Sequence, residues 1–284
     1  MPVAYHRVVM YTATMTNISL ESGNHVIGLI PAAGRATRLG ELPYSKELLP
    51  VPDRGTGSVQ PGTQIAIEST ARFLLDCGVA QQHVVIAPAK QDIPNYLGDG
   101  SRLGASITYT VVANSPSVPH SLNAAYDSIA GSDVVLVFPD ILFEPRAAIA
   151  TLLLSRAQTE ADVLLALVPS TRGDKVDMVS VDAAGTVSKV IPKPGPGKAG
   201  WTWVAAAWSP EFSDFLHRFL NDVGAAHEHP ADRELYLGDV LNAAIASGLV
   251  IRASRFADGW AIDIGTADDF AAAWQQGCAG DTRT

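Results

Sequence analysis

The sequence predicts an α/β fold, a mostly parallel mixed sheet with helices on both faces, and three observations carry that expectation. Strand and helix signals alternate through the first half of the chain. An apolar run breaks into a small-residue loop over residues 29–51, with a basic residue toward each end. After Asp162 the texture changes to short strands joined by short polar links. Alternation of this kind sets parallel strands side by side, covers the sheet with helices, and places ligands beyond the carboxyl ends of the strands.

Residues 26–30 read as a buried strand. Residues 64–77 show helical spacing through Ile65, Ile67, Ala71, Leu74 and Leu75, and end at Gly78, which can adopt the left-handed cap conformation. Residues 83–87 form a second strand and residues 107–112 alternate as a third. Residues 121–129 read as a helix. The apolar, β-branched run 133–138 suits a strand buried on both faces. Strands over 163–168, 178–181, 187–191 and 201–208 make the second half richer in hairpins. Helices follow over 211–220 and 239–246, then a strand over 250–256 and a closing helix over 268–275. The Pro-Gly run 192–200 is a loop, too short to link domains. One domain over residues 25–284 is expected, with residues 1–24 as a flexible extension.

A chain of 284 residues, 47% hydrophobic and 17% charged, can bury a sizeable core. Its net charge of -9 argues against general affinity for nucleic acid or anionic membranes, so an anionic ligand must be held by a local cluster of basic residues. Cys77 and Cys278 are too few for a disulfide framework or a zinc site, which fits a reducing cytoplasm. No stretch is long and apolar enough to span a bilayer, and residues 1–24 do not read as a signal peptide. A soluble, cytoplasmic protein is expected, and a homo-oligomer stays open.

The loop is where the chemistry concentrates. Ala32, Ala33, Gly34 and Ala36 have almost no side chains, so backbone N–H groups there can approach a polyphosphate closely. Arg38 and Lys46 add positive charge. Neither GxxxxGK[ST] nor GxGxxG fits these letters, which argues against a dinucleotide oxidoreductase.

The run Ala33-Gly34-Arg35-Ala36-Thr37-Arg38-Leu39, followed by Ser45-Lys46-Glu47-Leu48-Leu49-Pro50, resembles the signature of the sugar-1-phosphate nucleotidyltransferases. The resemblance extends over nearly all of residues 26–275. It implies a Rossmann-like three-layer αβα nucleotidyltransferase fold and transfer of a nucleotide from a nucleoside triphosphate to a sugar 1-phosphate or analogue. It places nucleotide contacts at Ala32, Ala33, Gly34, Arg35, Ala36 and Thr37, and catalytic charges at Arg38 and Lys46. Asp140 follows a strand, and Asp263 lies in Trp260-Ala261-Ile262-Asp263-Ile264-Gly265-Thr266, which is similar to a family element. The two aspartates are the implied ligands of Mg2+.

Substrate elements depart from the family pattern. Gly98-Asp99-Gly100-Ser101-Arg102 carries arginine where relatives have a base-reading glutamine, and an arginine can only donate. The base-contact segment reads Pro119-His120-Ser121-Leu122-Asn123-Ala124, which makes Ser121 a nucleotide-side candidate. In Ile191-Pro192-Lys193-Pro194 the lysine expected to grip the sugar phosphate is kept, but hydroxyl-accepting carboxylates are lost. Asp177 and Trp203 fall in altered sugar-side elements, and Arg233 lies one position from a family arginine that binds sugar phosphate. Asp239 reads as structural. The acceptor is a sugar 1-phosphate, a deoxysugar or a cyclitol phosphate. Two alternatives remain: a cytidylyl- or guanylyltransferase acting on a cyclitol phosphate or phosphonate, and a non-catalytic nucleotide-sugar binding protein.

Overall fold

The computed structural model describes residues 25–34, 37–53, 62–223 and 233–279. Arg35, Ala36 and the extension 1–24 lie outside the described residues. The apolar run forms β1 (Val26–Ala32), and the loop after it contains two short helical turns, Thr37–Leu39 and Lys46–Leu48. A small ladder of β2 (Pro50–Pro52) with β3 (Thr63–Ile65) leads into α1 (Ala66–Asp76) and β4 (Gln81–Ile86). Then come α2 (Asp92–Leu97), β5 (Ser106–Val111), α3 (Val118–Asn123), α4 (Tyr126–Ile129) and β6 (Asp133–Val137). The single helix expected over 121–129 is thus two short ones, broken at Ala124 and Ala125.

β7 (Ile141–Glu144) and α5 (Ala147–Gln158) precede the strand-rich half: β8 (Val163–Ser170), β9 (Met178–Val181), β10 (Val187–Ile191) and β11 (Gly200–Trp208). The chain continues through α6 (Pro210–Val223), α7 (Leu237–Ala246), β12 (Ile251–Arg255), β13 (Trp260–Asp263) and α8 (Ala267–Ala279).

The main sheet has nine strands among the described residues, in the order β10-β9-β11-β6-β1-β4-β5, with β8 on β11 and β12 on β8. Pairing is parallel from β6 through β1 and β4 to β5. It turns antiparallel where β11 meets β6 and β8. Neighbouring residues on the central strands point into different cores. Ile30, Val84 and Val135 join one cluster with α1 and α5, whereas Leu29, Val85 and Leu136 join another with Trp208, Phe212 and Leu241. Period-two alternation with both sets apolar is what a sheet covered on both faces requires.

The parallel half has a functional consequence. β1, β4, β5 and β6 run the same way, so their carboxyl ends share one rim. Asn242 protects the opposite edge: its side chain accepts from Val190 N–H at 2.8 Å and donates to Val190 O at 2.6 Å, occupying backbone groups that an edge strand would otherwise expose. Leu136 lies at the centre and is fully buried. Leu136→Ala is expected to destabilise the protein by about 2–5 kcal/mol, read as a lower midpoint in urea with an unchanged slope.

Candidate active site

A cleft of about 520 Å3 opens at that rim. Ala33 and Gly34 enter it from the turn after β1, Ala87 from the end of β4, residues 112–118 from the loop after β5, and Phe138 and Asp140 from the loop after β6; Lys46, Glu47, Ser121 and Glu234 complete the wall. A cleft beyond the carboxyl ends of parallel strands is where an open α/β sheet binds its ligand.

The two aspartates meet through a ladder that sequence reading does not find. β13 pairs antiparallel with β7, setting Asp263 opposite Ile141, and Ile264 N–H donates to Asp140 O at 2.9 Å. The Lys46 ammonium donates to Asp140 Oδ2, and Arg38 Nη2 donates to Asp263 Oδ2 at 3.1 Å. Burial alone would lower the Lys46 pKa, but Asp140, with help from Glu47 and Asp263, outweighs it and raises the value, so the side chain is a cation at neutral pH. Gly265 leaves room for these contacts. A Cβ at that position would lie 2.7 Å from Arg38 Nη2 and 2.8 Å from Asp263 Oδ1, and its own N–H donates to Asp263 Oδ1 at 2.8 Å.

No group of three or more His, Cys, Asp or Glu gathers among the described residues. Two adjacent carboxylates nevertheless fit a hard divalent cation that takes its other ligands from phosphate oxygens and water, and they do not fit a fully protein-caged ion.

Asp177, Lys193, Trp203 and Arg233 form a second cluster, gathered around Tyr236. Trp203 Nε1 donates to Asp177 Oδ2 at 3.4 Å. Lys193 Nζ sits 4.0 Å from the Tyr236 ring centroid and the Arg233 guanidinium 4.7 Å from it. Arg233 also bonds both oxygens of Asp239 at 2.8 and 2.9 Å, and Asp239 accepts Tyr236 N–H at 2.9 Å at the start of α7, the structural role expected of it. Burial raises the Asp177 pKa against the opposing pull of Trp203 and Lys193. Lys193 has φ +41°, the left-handed region that a non-glycine residue rarely adopts, so the surrounding contacts hold it in a strained conformation. Phe138 links this cluster to the cleft, 5.8 Å from Trp203 between ring centroids.

Three of the expected nucleotide positions, Ala33, Gly34 and Ser121, line the cleft. Ala32 ends β1 buried, Ala33 and Gly34 face the opening, and Thr37 begins the short turn that carries Arg38. Ser121 lines the wall, its Oγ 2.5 Å from Ser115 Oγ. Arg102 does not join them. Its Nη2 donates to Glu68 Oε2 at 2.9 Å and its guanidinium lies over Tyr96, which places it in an exposed cluster with α1 and α2. That contact spans 34 residues and leaves no local signal. Sequence reading also passed over Asn114, Ser115 and Ser117 on the cleft wall, Tyr236 between the two cations, and the buried Glu47 and Lys90. The Ser-Pro composition of 114–117 signals only a loop.

Residues 27–279 match the nucleotidyl transferase family, and the chain belongs to it. The low-salt glycan biosynthesis nucleotidyltransferase Agl11 of Haloferax volcanii is 24% identical over 247 residues, covering 85% of this chain and 63% of that protein. Glucose-1-phosphate thymidylyltransferase of Neisseria meningitidis is 30% identical over 142 residues, covering 49% of this chain and 46% of that protein. The match therefore spans less than two thirds of either relative. A solved Bacillus anthracis chain assigned as a glucose-1-phosphate thymidylyltransferase, in complex with sucrose, has a TM-score of 0.73 at 17% identity, covering 89% of this chain and 95% of that chain. That likeness confirms the Rossmann-like architecture.

The Arg102 cluster generates a pH prediction. Burial would raise the Glu68 pKa, but hydrogen bonds from Arg102, Tyr96 and Arg72 outweigh it and lower the value to about 2. A depressed folded-state carboxylate contributes stability that is complete above its unfolded pKa of about 4.3 and is lost as pH falls toward the folded value. Between those pH values Glu68→Gln is expected to lose less stability than the native chain, measured by urea melts at stepped pH. Parallel losses would contradict the assignment.

Proposed function

We propose that the chain transfers a nucleoside monophosphate from a nucleoside triphosphate to a sugar 1-phosphate or sugar-like phosphate, releasing pyrophosphate. The observation that carries this reading is the pairing of Lys46 with Asp140 on the cleft wall and of Arg38 with Asp263 beside it. Family membership supports it. An acceptor phosphate oxygen attacks the α-phosphorus in line. One P–O bond forms, the bond to the bridging oxygen breaks, and that electron pair leaves with pyrophosphate. The acceptor oxygen is already anionic, so no general base is needed and the protein's work is positioning and charge stabilisation.

In this reading the backbone around Ala33 and Gly34 admits the triphosphate. Arg38 stabilises its β- and γ-phosphates, and Lys46 the groups near the reacting phosphorus. Lys193 holds the acceptor phosphate, with Asp177, Trp203 and Arg233 around it. Asp140 and Asp263 hold Mg2+, which when bound neutralises charge gathering on the phosphates. The base is read by the loop 113–117 and Ser121, in place of Arg102. The run Ile191-Pro192-Lys193-Pro194 carries no carboxylate to accept sugar hydroxyls, and that observation keeps a cyclitol phosphate or phosphonate acceptor, with cytidylyl or guanylyl transfer, as the second reading. The unbroken sheet from β10 to β5 supports one domain. No helix among the described residues is long and apolar enough to cross a membrane.

The test is pyrophosphate release from each common nucleoside triphosphate against a panel of sugar and cyclitol 1-phosphates. Asp140→Asn and Asp263→Asn should each remove most activity without unfolding the chain, and normal turnover at limiting Mg2+ would exclude that aspartate as a ligand. Lys46→Ala and Arg38→Ala should each lower turnover by about 10²-fold. Lys193→Ala should instead raise KM for the acceptor more than KM for the triphosphate, and an equal effect on both would remove it from that role.

A further inference from the structure

Both chain neighbours of Lys46 are clamped to the segment that follows β4. On one side, Ser45 N–H donates to Asp92 Oδ2 and Ser45 Oγ donates to Asp92 Oδ1, each at 2.6 Å. On the other, Lys90 Nζ donates to Glu47 Oε1 at 2.8 Å and to Glu47 Oε2 at 2.7 Å. Glu47 is 1% exposed and Lys90 8%, so neither charge can rely on water. The short turn Lys46–Leu48 is closed by Leu48 N–H on Ser45 O and Leu49 N–H on Lys46 O, which keeps these three side chains on one tight piece of backbone.

This arrangement puts one buried carboxylate within reach of two ammonium groups. Glu47 and Lys46, adjacent in the chain, each favour the other's charged form, and Asp140 and Asp263 favour that of Lys46 as well, while the Lys46 ammonium donates to Asp140 Oδ2. A buried carboxylate that loses its partner must either take up a proton, the direction in which burial already pushes Glu47, or turn to the nearest cation. Lys46 is that cation.

We propose that Lys90 is a positioning residue: by occupying both oxygens of Glu47 it keeps this carboxylate from capturing Lys46, whose ammonium is thereby directed to Asp140 and the substrate phosphates. The inference rests on the phosphate-binding role of Lys46 proposed above. Neither Lys90 nor Asp92 touches the reacting atoms; they act through the backbone and the charge balance on either side of Lys46. The same logic accounts for a lysine so deeply buried in a loop, where an apolar side chain of similar length would fill the space without needing a partner.

Three chains decide it: Lys90→Met, the uncharged pair Glu47→Gln with Lys90→Met, and Lys46→Ala as the reference for complete loss. Lys90→Met should lower kcat by about 10- to 100-fold, and the uncharged pair should restore most of it, because removing Glu47 removes the competitor for Lys46. A purely structural role also predicts rescue by the uncharged pair, but through the melting temperature alone, with kcat per folded molecule unchanged in Lys90→Met where that variant is folded. Native turnover in Lys90→Met, or an uncharged pair as slow as Lys46→Ala, would overturn the proposal. If Lys90→Met does not fold, the uncharged pair still decides by the second criterion. A crystal structure of whichever variant of Lys90 retains Glu47 and folds, Lys90→Met or Lys90→Gln, separates this inference from the functional reading. Lys46 Nζ on Glu47 upholds the inference even for a chain that transfers no nucleotide, and Lys46 Nζ still on Asp140 overturns it whatever the activity.

Discussion

A single backbone hydrogen bond, from Ile264 N–H to Asp140 O, and the short β7–β13 ladder beside it impose the constraint on which the site depends. They bring Asp140 and Asp263 to neighbouring backbone positions, and each carboxylate meets a cation there, Lys46 for Asp140 and Arg38 for Asp263. Lys46 reaches Asp140 across 94 residues of chain and Arg38 reaches Asp263 across 225, so only the folded sheet can bring these charges together. Gly265 leaves room for the approach, since a side chain there would have to displace the ends of Arg38 and Asp263.

This local arrangement reconciles an acidic protein with an anionic ligand. The chain carries a net charge of -9, yet the rim balances two aspartates with two cations. In the proposed reading, a polyphosphate entering with a divalent cation would bring partners for both sets at once: phosphate oxygens for Lys46 and Arg38, the metal for the aspartates. The parallel strands supply the position, because β1, β4, β5 and β6 end at the same edge. The antiparallel half supplies the second cluster, where β11 carries Trp203 and the turn after β10 carries the strained Lys193.

Much of this was legible in the sequence, and the parts that were not share a cause. The run 26–30, the small residues after it, and Arg38 and Lys46 lie within one short segment, so composition and spacing reveal both the strand and its anion-facing turn. The alternation through 133–138 reveals a strand buried on both faces. β7 and β13 stayed hidden because each has only four residues and their partnership spans more than a hundred. The Arg102 contact is hidden for a related reason: its family-like setting after Gly100 is local, whereas its partner Glu68 comes from α1. Tyr236 and Lys90 have no motif, and their roles exist only through the cations or carboxylate they meet in the folded chain.

The central claim is that this rim moves a nucleotidyl group rather than a terminal phosphoryl group. Label tracking measures that directly, using a nucleoside triphosphate carrying radioactive phosphorus at either the α or the γ position, with Mg2+ and the acceptor that supports turnover. The account predicts that α-label passes into the acceptor product and that γ-label leaves entirely in pyrophosphate. Transfer of γ-label to the acceptor would contradict it.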